Sequence, residues 1–168
     1  HMKTRMIVGV LVTLGLLSGC ANVGRGGVPT SVSRAEAVVS RPDPVALFAR
    51  WNTALATGNP DAVVANYAPD AILLPTVSNK VRHTPAEIRD YFVHFLAKAP
   101  RGTVIERNAR VLSPYVMVDS GTYVFDTNAG QVPARYTFVY RQVGNDWLIA
   151  EHHSSAMPEK PEQAKAAH

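Results

Sequence analysis

Two histidines and two serines stand together near the end of the chain, in the segment Trp147-Leu-Ile-Ala-Glu-His-His-Ser-Ser-Ala-Met-Pro158. The segment is apolar at its start and polar at its end, which is typical of a strand that leaves the core. Side chains alternate between the faces of a strand, so His153 and Ser155 share one face, about 6–7 Å apart. His152 and Ser154 share the other face. Imidazole and hydroxyl groups move protons and bind small oxyanions, so this is a candidate acid–base site; a solvent-facing strand end is the alternative.

Other hydroxyl and charged groups are candidates for the same site. Thr76 lies on a polar loop before a predicted helix, where its hydroxyl can orient a water molecule. Tyr91 lies on the apolar stripe of that helix, where core packing alone also explains it. Arg135 and Tyr140 differ by five positions on one later strand, so only one of them can face a pocket.

Metal and nucleophile chemistry are less well supported by the sequence. The candidate metal ligands are His83, His94, His152 and His153. Neighbouring residues of a strand diverge, which places the last two poorly for sharing one metal, and neither His-x-His nor His-Glu-x-x-His occurs. We therefore expect no cofactor, with zinc as a weakly supported alternative. Ser154 and Ser155 lack a Gly-x-Ser-x-Gly elbow, which makes a serine hydrolase a distant third possibility.

The start of the chain has the features of a bacterial secretion signal. His1-Met2 is interpreted as an expression scar, and a short basic region precedes an apolar run of about a dozen residues, too short to span a bilayer. Leu17-Ser-Gly-Cys20 then resembles a lipobox, and Cys20 is the only cysteine of the chain. We expect residues 1–19 to be scar plus signal peptide and Cys20 to be lipidated, an ordinary cleaved signal being the alternative. The predicted location is the bacterial cell envelope, in the periplasm and lipid-anchored.

The charge of the chain argues against a nucleic-acid partner. The formal net charge is +4, and removing Lys3 and Arg5 with the signal lowers it to +2. No basic run with interleaved aromatic residues occurs. Residues 20–43 are rich in Gly, Ser and Pro and are predicted to be a flexible tether, and residues 160–168 a disordered tail.

Residues 44–159 are expected to form a single domain. Asp43 is the predicted N-cap of a helix that begins at Pro44 and ends near Gly58. Its stripe at helical spacing comprises Val45, Phe48, Ala49, Asn52 and Leu55. A second short helix is predicted over residues 59–67.

The pattern then changes from mostly helical to strand-like. A short apolar strand is predicted over residues 71–75, and a third helix begins after a Thr84 cap. The hydrophobic period then becomes two, which predicts strands near residues 103–112, 115–125, 132–143 and 147–155. This order is typical of an α+β fold, and we expect a curved antiparallel sheet wrapped around the long third helix, cone-shaped with an internal pocket.

Four segments together resemble a known family. They are Leu73-Leu-Pro-Thr-Val-Ser-Asn79, Ile88-Arg-Asp-Tyr-Phe92, Ala134-Arg-Tyr-Thr-Phe-Val-Tyr140 and His152-His-Ser-Ser-Ala-Met-Pro-Glu159. They look like the association domain of calmodulin-dependent kinase II and its bacterial relatives, which have the nuclear-transport-factor-2-like (NTF2-like) fold. Within that group the ending is similar to the iota class of carbonic anhydrases. The resemblance covers residues 44–159.

The resemblance implies hydration of CO2 to bicarbonate, which some members of the class are described as catalysing without metal. Carried over, the pocket residues are Thr76, Tyr91, His153 and Ser155, and strand alternation independently groups the last two. In this hypothesis Tyr91 and Ser155 hold the water and the oxyanion, and His153 orients them or passes the proton on. We therefore expect a carbonic anhydrase, with CO2 and bicarbonate as its small-molecule partners.

The alternative is a non-catalytic module of the same fold that binds a small ligand or oligomerises, because this fold serves many functions. In either case we expect a homodimer or a larger ring. Phe138 and Tyr140 share one face of a late strand and Val139 lies on the other. A single cone has one interior, so the second apolar face needs cover. The membrane is expected to be reached through the lipid anchor only.

Overall fold

The computed structural model describes residues 40–159. The predicted signal, the lipidation site at Cys20, most of the tether and the tail after residue 159 lie outside the described residues and stay predictions. Within the described part of the chain, no helix is both long and apolar enough to cross a membrane.

Each of the three helices begins at a proline that follows a polar capping residue. They are α1 (Pro44–Ala56), α2 (Pro60–Val64) and α3 (Pro85–Leu96). The caps are Asp43, Asn59 and Thr84, and each side chain accepts a hydrogen bond from a backbone N–H in the first turn. These start signals were predicted from the sequence, because a proline at the first position loses only an N–H that has no partner inside the helix.

The stripe predicted for α1 is partly wrong. Val45 was expected on the buried face but is 53 % exposed, and Trp51, which was not included, is 1 % exposed. The residues that α1 buries are Leu47, Phe48, Trp51, Ala54 and Leu55. The large Trp51 ring determines which side of the helix faces the core, because it contributes the largest apolar surface.

Five strands form one mixed sheet, with the order β1-β5-β4-β3-β2. The strands are β1 (Tyr67–Leu74), β2 (Arg101–Ser113), β3 (Val116–Thr127), β4 (Gly130–Val143) and β5 (Asp146–Ala156). The α+β class and the element order are confirmed. The expectation of a purely antiparallel sheet is wrong: β2 to β5 form the antiparallel meander, but β1 pairs with β5 in parallel. A pairing between strands as far apart in the chain as β1 and β5 leaves no local sequence signal.

The core lies between the helices and the inner face of the sheet. Rings from α1 and α3 meet rings from β3 and β4, as in the edge-on contact of Trp51 with Phe138, whose centroids are 5.5 Å apart. Phe95 meets Phe125 in the same way at 5.4 Å. Aromatic pairs in this geometry add to the free energy of area burial, so this layer fixes the helices on the sheet.

A β-bulge in β5 determines which side chains enter that core. Val139 pairs with Glu151 while the next residue, Tyr140, pairs with Ile149, so Ala150 has no partner on β4. The extra residue reverses the alternation of β5. Residues 147 and 149 point inward before the bulge, and residues 152 and 154 point inward after it.

Replacing Phe92 by alanine is expected to lower the free energy of unfolding by about 3–5 kcal/mol, because the ring is removed from a packed aromatic layer. Phe92 is 1 % exposed and its ring lies 5.9 Å from that of Tyr67. Val93, the next residue of α3, is 46 % exposed. Val93→Ala is therefore the control and should change stability by less than about 0.5 kcal/mol in urea unfolding. Equal midpoints for the two variants would contradict this packing.

Candidate functional site

A small cleft opens at the inner end of β5, between that strand, β3, α3 and the loop after β1. Its polar lining consists of Thr76, Tyr91, Tyr123, His152 and Ser154. Its apolar lining consists of Trp51, Leu73, Pro75, Phe92, Phe95 and Phe125. The free volume is about 10 Å³, close to the smallest space that holds one water molecule. The free space in this structure therefore amounts to about one water molecule.

His152 lies at the base of this cleft between two tyrosine hydroxyls. The Tyr67 hydroxyl is 2.9 Å from Nδ1 of His152, and the Tyr123 hydroxyl is 3.3 Å from Nε2. The imidazole ring stacks on Phe138 with centroids 4.0 Å apart and meets the Trp51 ring edge-on at 5.3 Å. Packing and hydrogen bonds together hold the ring in one orientation.

Ser154 carries the hydrogen bonds on to the surface of the cleft. Its Oγ accepts a hydrogen bond from the Tyr123 hydroxyl at 2.5 Å and is hydrogen-bonded to the Thr76 hydroxyl. Thr76 follows β1 and is half-buried, so it is more exposed than Tyr67, Tyr123 and Ser154, which are buried. Thr76 and Ser154, from opposite ends of the domain sequence, meet because β1 pairs with β5.

Burial determines the protonation states in the cleft. Desolvation lowers the pKa of His152 to about 3, with a smaller contribution from His153, so the imidazole is neutral at physiological pH. Desolvation also raises the pKa of the Tyr67, Tyr91 and Tyr123 hydroxyls, which keeps them protonated. The cleft therefore presents neutral hydrogen-bonding groups and no charge of its own.

Tyr91 separates this inner cleft from a larger outer cleft. The outer cleft has a volume of about 350 Å³ and shares Tyr91 and Phe95 with the inner one. Its other lining residues are Val77, Ser78, Arg82, Asp90, His94 and Lys98. Arg82 is 9 % exposed, forms an ion pair with Asp90 and lies 5.9 Å from the centre of the Tyr91 ring. The outer cleft is thus polar and charged where the inner cleft is neutral.

The structure places two of the four predicted pocket residues in the inner cleft and the other two on the opposite face of β5. Thr76 and Tyr91 line the inner cleft. His153 and Ser155 share a strand face, as predicted, but it is the outer face: His153 is exposed, and the two residues pair with Thr137 and Arg135. His152 and Ser154 take the inward positions instead, opposite the buried Phe138 and Tyr136. The bulge at Ala150 is the physical reason, because counting from the buried Trp147 without it gives the opposite face.

Sequence reasoning also missed the residues that hold His152. The second helix was predicted to run to residue 67, but α2 ends at Val64 and Tyr67 begins β1. Tyr123 was one of several residues in a predicted strand with no role. The available signal was the inward alternation of Tyr123 and Phe125 on β3, which needs the register between strands before it indicates a partner.

A second buried polar group lies on the inner face of the sheet. The Asp119 carboxylate has no exposed surface and accepts hydrogen bonds from Arg107 Nε at 3.1 Å and the Tyr136 hydroxyl at 3.3 Å. Desolvation raises the pKa of Asp119, and Arg107 opposes that shift. The group is satisfied by these partners.

The histidines do not come together as a metal site. Within residues 40–159, no three His, Cys, Asp or Glu side chains lie close enough to hold one ion. His83 and His94 lie on the α3 side of the domain, where the Nδ1 atom of His94 is 2.9 Å from the Asp90 carbonyl oxygen. His152 has a tyrosine hydroxyl within hydrogen-bond distance of each ring nitrogen.

The profile of the calcium/calmodulin-dependent protein kinase II association domain matches residues 40–158. A proposed domain of this type from Xanthomonas campestris is 51 % identical, with a TM-score of 0.67 over 69 % of this chain and 86 % of that one. No curated protein matches the chain.

More distant structures confirm the NTF2-like fold. An NTF2-like protein of unknown function from Pseudomonas putida is 15 % identical, with a TM-score of 0.60 over 71 % of this chain and 87 % of that one. A proposed dehydratase of the NTF2-like family from Streptomyces avermitilis is 12 % identical, with a TM-score of 0.61 over 68 % and 94 %. At these identities the likeness shows the fold alone.

The buried imidazole is expected to make the protein less stable in acid. The pKa of His152 is about 3 in the folded state and about 6.5 when solvated, so between these values the unfolded chain binds a proton that the folded protein does not. Stability should therefore fall as the pH drops below about 6.5, by up to about 1.4 kcal/mol per pH unit from this group. The groups that face the ring, the Tyr67 and Tyr123 hydroxyls, stay neutral over this range.

Urea unfolding between pH 7 and pH 4 measures this slope. His152→Asn should reduce it, and His153→Asn, on the exposed side of the same strand, should change it much less, because burial is the larger cause of the lowered pKa of His152. NMR titration of the unmodified protein gives an independent reading if His152→Asn does not fold. Protonation of the His152 ring above pH 5 would contradict the argument.

Proposed function

Because the chain belongs to the calcium/calmodulin-dependent protein kinase II association-domain family, whose fold alone fixes no activity, we propose its function from the inner cleft: reversible hydration of CO2 to bicarbonate. One observation carries this proposal. The hydroxyls of Thr76 and Ser154 meet in a narrow cleft whose other walls are mostly aromatic and carry no charge.

The chemistry of the cleft lining suits both the substrate and the product of this reaction. CO2 is small and apolar, which suits walls made of Leu73, Phe92 and Phe125. Bicarbonate carries oxygen atoms with negative charge, which suits hydroxyl donors held in place by other hydrogen bonds. The paired histidines and serines in the ending His152-His-Ser-Ser-Ala-Met-Pro-Glu159, which is similar to iota-class carbonic anhydrases, support the same assignment.

The proposed step needs only positioned neutral groups. The oxygen of a water molecule forms a bond to the carbon of CO2, and one C=O electron pair moves onto its oxygen. One proton leaves to water or buffer, so that the products are bicarbonate and H⁺. The Thr76 hydroxyl donates to the oxygen on which charge develops, Ser154 orients that hydroxyl, and Tyr91 forms another wall of the cleft.

We propose that no metal ion takes part. The only histidine in the cleft, His152, has each ring nitrogen within hydrogen-bond distance of a tyrosine hydroxyl. A zinc-hydroxide mechanism needs about three protein ligands around one open position, and the donors that line this cleft are hydroxyls rather than thiolates or carboxylates.

Stopped-flow measurement of CO2 hydration tests both the activity and the conclusion that Ser154, not Ser155, faces the inner cleft. Ser154→Ala removes the hydroxyl that orients Thr76 and should reduce kcat/KM on the order of 10–100-fold, as loss of an orienting partner does at metal sites. Ser155→Ala makes the same change on the other face of β5 and should retain the activity of the unmodified protein. Dialysis against a chelator should leave the rate unchanged.

Three outcomes of this experiment would count against the proposal. A hydration rate equal to the uncatalysed rate in buffer would show that the protein does not have this activity. Equal losses from the two serine variants would contradict the inward assignment of Ser154. Activity that is lost on chelation and restored by zinc would show a metal mechanism.

The outer cleft favours a second candidate, a non-catalytic module that binds a small ligand. Its volume of about 350 Å³ lies in the range of ordinary ligand pockets, and Arg82 and Lys98 give it cationic groups. Calorimetric binding of a small carboxylate by a protein with no hydration activity would favour this candidate over the enzyme.

We propose that the protein is a homodimer or larger oligomer that covers the outer face of its sheet. Val118, Val139, Glu151 and Ile72 form one row across that face, since each pairs with the next. Val139 is half-buried there, whereas Phe138 and Tyr140 point into the core. The row is apolar except for Glu151, so association would remove valine and isoleucine surface from water.

Light scattering at micromolar concentration should report at least a dimer. Val139→Arg places a charge in the covered row and should shift the mass towards the monomer. Val93→Arg, on the exposed side of α3, is the control and should leave the mass unchanged. A monomeric unmodified protein would contradict the proposal.

Lipid anchoring at Cys20 and a periplasmic location also remain proposals, and they rest on the sequence alone.

A further inference from the structure

We propose that Trp51 and Tyr67 are positioning residues that fix His152 as a hydrogen-bond donor directed towards the cleft. They select the tautomer with the proton on Nε2, and thereby orient every hydroxyl between the imidazole and Thr76. The consequence for catalysis rests on the proposed function, whereas the tautomer itself does not.

The direction of the hydrogen bonds begins at Trp51, because an indole nitrogen only donates. Trp51 Nε1 lies 3.2 Å from the Tyr67 hydroxyl oxygen, so that oxygen accepts its hydrogen bond. The Tyr67 hydroxyl has one proton of its own, and its other partner is Nδ1 of His152 at 2.9 Å. Tyr67 is 6 % exposed, so leaving this proton without an acceptor would cost the desolvation free energy of a buried donor. Tyr67 therefore donates to Nδ1.

A neutral imidazole has one protonated and one bare nitrogen. With Nδ1 accepting from Tyr67, the proton is on Nε2, which lies 3.3 Å from the Tyr123 hydroxyl oxygen. No carboxylate is hydrogen-bonded to His152 within residues 40–159, so nothing there stabilises a second proton on the ring. His152 donates to Tyr123.

The hydrogen bonds continue in the same direction from His152 to the cleft. Tyr123 accepts from His152 and donates to Ser154 Oγ at 2.5 Å. Ser154 then has its own proton for the Thr76 hydroxyl oxygen, and the Thr76 proton is left for a molecule in the cleft. All the donors point one way, so the cleft offers an O–H to an oxygen acceptor. His152 acts as the orienting donor behind Tyr123 and Ser154, not as the base that deprotonates water.

Nitrogen-15 NMR of the full chain distinguishes the two tautomers without measuring activity. The unmodified protein should show His152 with Nε2 protonated and Nδ1 bare. Tyr67→Phe removes the donor to Nδ1 and should move the Nδ1 signal towards that of a protonated nitrogen. A protonated Nδ1 in the unmodified protein overturns the proposal, whether or not the variant folds.

Tyr140→Phe is the matched control. Tyr140 is also a buried tyrosine of the core, but within residues 40–159 its hydroxyl has no hydrogen-bond partner. The control should change neither the His152 signals nor the activity. An unchanged tautomer in a folded Tyr67→Phe protein would show that Tyr67 does not position the ring.

Kinetics then test the consequence for catalysis. Tyr67→Phe should lower kcat of CO2 hydration on the order of 10–100-fold, as loss of an orienting partner behind a histidine does at metal sites. KM should change by less than about twofold, since Tyr67 does not reach the cleft. An unchanged kcat would overturn the positioning role. An unmodified protein without hydration activity but with the expected tautomers would overturn only the proposed function.

Discussion

The single unpaired residue at Ala150 is the constraint on which the arrangement of the inner cleft depends. The residues before it, Trp147 and Ile149, anchor β5 in the core, and the bulge then turns His152 and Ser154 to the same side. A regular strand would leave these two side chains on the outer face and place His153 and Ser155 inside. Bulges near functional sites commonly redirect side chains in this way.

Burying the side chains of a histidine and a serine inside an aromatic core costs free energy, which other interactions of the fold must offset. A buried polar group without a partner costs about 1–3 kcal/mol, and a buried charge costs more. Tyrosine suits the role of partner, because its ring packs with Phe138 and Trp51 while its hydroxyl reaches a polar atom. The core around His152 is aromatic for both reasons, and the imidazole itself stacks on Phe138 as another ring.

Much of the fold could be predicted from local patterns, because helix starts and strand periods are local properties. Asp43, Asn59 and Thr84 cap the three helices as expected. The parallel pairing of β1 with β5 could not be predicted in this way, because it joins residues about eighty positions apart and depends on packing of the whole sheet.

The pair of β5 residues that faces inward differs from the prediction, because the bulge shifts the alternation by one residue. The grouping of the paired histidines and serines by face was correct, since it needs only the two-residue period of a strand. Which pair faces inward depends on whether odd-numbered or even-numbered residues point into the core. The bulge at Ala150 switches this from odd to even, and no glycine or proline there signals the bulge in the sequence. The pairing of Phe138 with His152 is the observation that fixes which pair faces inward, and it exists only once the register is known.

The direction of the buried hydrogen bonds also constrains how a proton from the proposed reaction can leave. The series ends at Trp51, whose indole nitrogen accepts no hydrogen bond, so a proton cannot pass inward along it. In the proposed reaction it leaves directly from the inner cleft instead, which shares Tyr91 and Phe95 with the outer cleft. In the proposed reaction, the neutral donors of the inner cleft hold the reacting oxygen, and the charged groups lie apart from it in the neighbouring outer cleft.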